Sequence, residues 1–196
     1  MMIKWLCKKI GQHIQSKNLT SKNTSDLQYG LEILIRFLLE FILVVFLAYQ
    51  LNILHFVFPA LFSFIILRRK AGGAHNSKYI LCILSTVVVF NGIGYLTQTI
   101  NFTTTFLLFW LIFTALLGII FITKYAPADT EKIPITDKQQ RKTQKRKSMI
   151  IFLSWFLLSL IFYVFPIMDT KIVFAASLGI LAEIISLHPL TCKLLI

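Results

Sequence analysis

Six apolar stretches, at about 31–49, 51–67, 79–96, 102–122, 149–167 and 172–187, take up most of a chain of 196 residues. Most approach the roughly 17–25 residues that a helix needs to cross a bilayer core. The second has 17 residues and contains His55 and Pro59, and the last has 16, so one or two are open to a re-entrant reading. The chain is 57% hydrophobic, with a mean hydropathy of +0.76. Soluble domains sit near about 45–50% apolar. The expected fold class is all-α: a polytopic membrane protein of about six helical segments, forming a single membrane-embedded domain over residues 1–196 with no separate soluble domain. The first thirty residues lack the continuous apolar run of a cleavable signal peptide.

Charge gives an orientation. Five Lys and Arg precede residue 31, four lie between Arg68 and Lys78, and eight lie between Lys124 and Lys147. With Lys193, these regions hold 18 of the chain's 20 basic residues. The connections at 50–52 and 98–101 carry none, and 169–171 carries one. Six crossings with the N-terminus inside put every basic region in the cytoplasm. The expected localisation is a multi-pass protein of the cell membrane, with both termini and a basic loop at 124–148 cytoplasmic. The net charge of +12 is then topology plus attraction to anionic lipid, not nucleic-acid binding. Near the start, Ile3, Leu6, Cys7, Ile10 and Ile14 recur at helical spacing, with Lys4, Lys8 and Gln12 on other faces. This predicts an amphipathic helix on the cytoplasmic leaflet, within an N-terminal region 1–30. The polar segment 16–29 reads as a linker.

The chemistry-bearing residues are three cysteines and four histidines. Cys7 lies near His13, Cys82 follows His75 by seven positions, and Cys192 follows His188 by four. The last pair is interrupted by Pro189 and lies near the chain end, where order is poor. Cys7 on an apolar face is ordinarily a packing residue. His55 reads as interfacial or functional. No HExxH or CxxC spacing is present, so no metal and no cofactor is expected. His75 and Cys82 stand apart because of their setting, Arg68-Arg69-Lys70-Ala71-Gly72-Gly73-Ala74-His75. Seven residues of continuous helix would separate their Cα atoms by about 10.5 Å. The Gly-Gly break makes that helix improbable, and a cap at Asn76 or Ser77 leaves His75 free to fold back. The neighbouring cations favour a thiolate at Cys82.

Gly72-Gly73-Ala74-His75, with Cys82 seven residues on, resembles the signature of the accessory gene regulator B (AgrB) family of membrane cysteine endopeptidases. A second match is Lys124-Tyr125-Ala126-Pro127-Ala128-Asp129-Thr130-Glu131-Lys132-Ile133-Pro134-Ile135, which is similar to the segment opening that family's large cytoplasmic loop. The resemblance implies that His75 and Cys82 are catalytic. It also implies a substrate: a small AgrD-like precursor peptide, whose acidic C-terminal tail is removed and whose signal segment closes into a thiolactone or lactone for quorum sensing. The expected chemistry is attack by the Cys82 thiolate, with His75 as base, to give a thioester that the peptide's own side chain resolves. Arg68, Arg69 and Lys70, with Arg141, Lys142, Lys145, Arg146 and Lys147, are the candidate contacts to the acidic tail. Expected partners are that peptide and membrane lipid, with a homodimer as a candidate assembly. Glu32, Arg36 and Glu40 form an i, i+4 ladder, and Glu183 is a weak functional candidate. The rival reading is a small transporter or peptide exporter, for which Asn91, Thr97 and Gln98 offer only a thin polar stripe.

Overall fold

A computed structural model describes residues 21–73, 79–128, 137–165 and 167–188. The expected amphipathic helix at the N-terminus, His75 and Cys192 lie outside them. Among the described residues six helices follow one another: α1 (Ser21–Gln50), α2 (Leu54–Ala71), α3 (Tyr79–Thr99), α4 (Thr104–Tyr125), α5 (Lys138–Val164) and α6 (Thr170–Ser186). No strand occurs among the described residues. Three helices, at Ile80–Thr99, Thr104–Tyr125 and Lys138–Val164, are long and apolar enough to cross a membrane. Large apolar side chains such as Phe62, Ile80, Phe109, Leu116 and Leu157 face outward. A soluble protein rarely exposes so much apolar surface, and in lipid such exposure costs nothing.

The chain falls into two compact units, Met1–Phe46 and Leu47–Ile196. In the first, α1 begins at Ser21, so the second half of the expected linker is helical. Continuing a helix costs little once a long apolar segment has nucleated it. Residues 32, 36 and 40 therefore fall one turn apart on α1.

In the second unit α6 is the hub. It packs most extensively on α2 and also meets α3, α4 and α5. Small residues permit this. A Cβ on Gly179 would overlap the backbone of Ala60, so α2 and α6 cross with main chains almost touching. The two segments shortest in sequence are thus the most enclosed. One apolar cluster joins Leu67, Ala71, Ile122, Ala126, Phe152, Ile180, Ile184 and Leu187. A second joins Leu107, Leu111, Val173 and Phe174 toward the other end.

Three helix starts are set by capping side chains. Thr103 accepts from the Phe106 N–H at 3.3 Å, Asp137 from Gln139 at 2.9 Å, and Asp169 from Lys171 at 2.9 Å. The Asp137 cap corrects one expectation. Arg141 to Lys147 do not lie in a loop but form the opening turns of α5. Lys, Gln and Arg are good helix formers, and the cap starts the helix eleven residues before the apolar run. Both ends of the bundle are tied. The Lys145 ammonium donates to the Thr123 carbonyl at the end of α4. At the opposite end the Lys171 ammonium reaches the Gln98 carbonyl at 3.0 Å and Asn101 Oδ1 at 3.4 Å.

Candidate active site at the basic end of the bundle

The ends of α2, α4 and α6 and the start of α5 gather at one end of the second unit. Helix α2 closes with Arg68, Arg69 and Lys70 in its last turn. Its C-cap is Gly72, with φ 75°, whose N–H donates to the Arg68 carbonyl at 3.0 Å. Gly73 follows at φ 147°. Both values lie where side chains are disfavoured, which explains glycine at both positions.

The first sequence motif meets the second here. Ala128 donates its N–H to the Ala71 carbonyl at 2.8 Å, and Gly72 pairs with Ala128 as an isolated parallel bridge. A Cβ on Gly72 would overlap the Ala128 carbonyl oxygen. Gly72, the first glycine of the pair that precedes His75, is therefore pressed against Ala128 in the segment that leaves α4. Ala71 and Ala126 are buried in the same apolar cluster.

On the other side lies a polar cluster that sequence reading did not assemble. Arg68 Nη1 is 3.0 Å from Glu183 Oε2 and 3.2 Å from Ser186 Oγ. The Ser186 hydroxyl donates to the same Glu183 oxygen at 3.0 Å. Glu183 is fully buried, and the Arg68 guanidinium also stands 5.1 Å over the Phe64 ring. The ion pair spans 115 positions, so neither partner announces the other in sequence. The only sequence signal was an acid within an apolar run.

Cys82 is the fourth residue of α3 and is half-buried. Its carbonyl accepts from Ser85 Oγ and Thr86 Oγ1, both at 2.9 Å. Of the basic candidates, Arg69, Arg141, Lys142, Arg146 and Lys147 are exposed. Lys70 and Lys145 are half-buried, and Arg68 turns inward to Glu183. The His188 ring packs on Tyr125 and Phe121, with centroids 5.1 and 5.8 Å away. The His55 ring lies beside Phe56, far in sequence from these motifs. No group of three or more metal-ligating side chains occurs among the described residues.

The sequence profile of accessory gene regulator B matches residues 7–187. The chain belongs to the accessory gene regulator B family. Among its relatives, an AgrB-like protein of Listeria monocytogenes serotype 4a is 32% identical over 171 residues, which is 86% of this chain and 78% of the relative. A Clostridium perfringens AgrB-like protein is 31% identical over 169 residues, covering 83% and 79%. No solved structure matches this AgrB-family chain. Membership carries a role in the agr quorum-sensing system, and both motifs lie within the matched region.

Proposed function

We propose that the chain is a cysteine endopeptidase that removes the C-terminal tail of a small AgrD-like precursor and promotes closure of the signal segment into a thiolactone or lactone. The observation that carries this reading is the docking of Gly72 on Ala128, with Cys82 opening the next helix. Two segments 56 positions apart in sequence, each carrying part of the family resemblance, are joined there, and this supports the reading.

In this reaction His75 takes the proton of Cys82, and the thiolate attacks the carbonyl that ends the signal segment. The peptide C–N bond breaks, and the tail leaves as an amine carrying the proton that His75 returns. The signal segment remains as a thioester on Cys82. A thiol or hydroxyl within the same segment then attacks that thioester, loses its proton, and forms the ring as Cys82 recovers its thiol. Holding the acyl segment in place makes ring closure effectively unimolecular, which lets it outrun hydrolysis. A thioester is a more activated acyl donor than a peptide, so departure of the tail draws the first step forward.

Capture is electrostatic. Arg69, Arg141, Lys142, Arg146 and Lys147 are exposed near the chain's two signature segments or on α5, and they attract an acidic tail. The positive-inside bias puts this end, and so the chemistry, at the cytoplasmic face. The test is co-expression with an acidic-tailed precursor and mass analysis of the products. Cys82→Ala should insert normally and abolish tail release, because a small apolar residue suits the start of α3. Full tail release by Cys82→Ala would overturn the proposal.

A further inference from the structure

Glu183 is one of eight acidic residues in the chain and is fully buried near the end of the hub helix. Burying a carboxylate is costly unless it is paired and hydrogen-bonded. Neutralisation by Arg68 would be enough to permit insertion, yet the site holds more than that. Ser186, one turn later on α6, donates to Glu183 Oε2 and accepts from Arg68 Nη1. The three side chains form a closed ring of contacts. Glu183 Oε1 is also buried and has no hydrogen-bond partner among the described residues, which leaves an acceptor beyond what the ion pair requires.

Gly73 rests directly on this ring. A Cβ built there would stand 2.6 Å from Ser186 Oγ and 2.7 Å from Arg68 Nη1. Its neighbour Gly72 is held from the other side by the Ala128 backbone. The two glycines are thus gripped between α6 and the segment leaving α4. Residue 75 follows Gly73 by two positions, a reach of at most about 7 Å.

We infer that Glu183 is a positioning residue for the peptidase chemistry. It holds Arg68 and Ser186 in one geometry, the pair seats Gly73, and the seat fixes where the chain departs toward His75. The inference rests on the reading of Cys82 as nucleophile and His75 as base. It predicts an effect on thiolate formation and turnover rather than on peptide affinity.

The test uses the full chain in vesicles containing anionic phospholipid. Iodoacetamide labelling of Cys82 is followed by mass from pH 6 to pH 10, alongside tail release from an acidic-tailed precursor peptide added over a range of concentrations. Four variants are compared: Glu183→Gln, Ser186→Ala, His75→Ala and Ser177→Ala. Ser186→Ala keeps the ion pair and serves if Glu183→Gln does not insert. Ser177→Ala is the structural control, since it removes another buried hydrogen bond of α6, the one from Trp110 Nε1 at 2.7 Å.

Glu183→Gln should slow labelling at pH 7 about tenfold and restore the native rate near pH 10, where the thiol ionises unaided. Its kcat for tail release should fall about 10–100-fold, the scale of a small misplacement of reacting groups, with KM within about twofold. Ser186→Ala should move the profile the same way by less, and Ser177→Ala should leave it in place. A profile displaced by His75→Ala but not by Glu183→Gln or Ser186→Ala overturns the inference alone. A profile that His75→Ala leaves in place overturns the base assignment, and the inference falls with it. Equal acceleration of labelling at every pH in Glu183→Gln would show general loosening and also defeat the inference.

Discussion

Arg68 and Arg69 are adjacent cations with opposite fates. Arg68 turns inward onto Glu183, while Arg69 stays exposed. Their substitutions should separate accordingly. Arg69→Ala should raise the apparent KM for precursor and leave kcat near native, because an exposed charge acts through long-range attraction. Arg68→Ala strands a buried carboxylate and unseats Gly73, so kcat should fall at least tenfold. Steady-state cleavage at low salt checks both. Gly72 makes a sharper case. With φ 75° and no room beside Ala128, Gly72→Ala carries backbone strain and a clash together. It should insert at native levels yet lose tail release, read by blotting the membrane fraction and by mass analysis of the peptide.

At the level of elements, the opening turns of α5 form a basic, solvent-facing helix. Neutralising Arg141, Lys142, Arg146 and Lys147 while keeping Lys145, which is tied to Thr123, should weaken precursor capture more than turnover. The loss should shrink at high salt, since screening already acts beyond about 8–10 Å at physiological ionic strength. The crossing of α2 and α6 is a packing matter instead. Gly179→Ala forces a Cβ into the Ala60 backbone and should cost about 1–3 kcal/mol, measured by unfolding in detergent. The six helices were legible because apolar runs and basic connections alternate. The start of α5 was not, because a run of Lys, Gln and Arg reads as a charged loop until the Asp137 cap is seen. Nor was the central place of α2 and α6. Short length marks a weak span in sequence, whereas Ala60 and Gly179 decide how closely the helices approach. The two motifs were legible one at a time. Their contact at Gly72 and Ala128, and the seat made by Arg68, Glu183 and Ser186, depend on tertiary pairing across long stretches of chain.

For the whole molecule, the tie of Lys171 to Gln98 and Asn101 at one end, and the gathering of charge at the other, predict a fixed polarity. In chains lacking native cysteines, Asn101→Cys should react with an impermeant maleimide on intact cells. Lys147→Cys should react only after lysis. The Arg68–Glu183 pair also imposes an order in time. Both signature motifs leave the ribosome well before α6 does, and Arg68 waits 115 residues for its partner. At about 5–20 residues per second, that wait is roughly 6–23 seconds. A nascent chain in that interval carries a complete Gly-Gly-Ala-His motif and Cys82 but, of the three side chains that seat Gly73, only Arg68. If that seat positions the proposed base, translation of the last helix is a licence, and a chain stopped before residue 170 should be inert toward the precursor although it carries both His75 and Cys82.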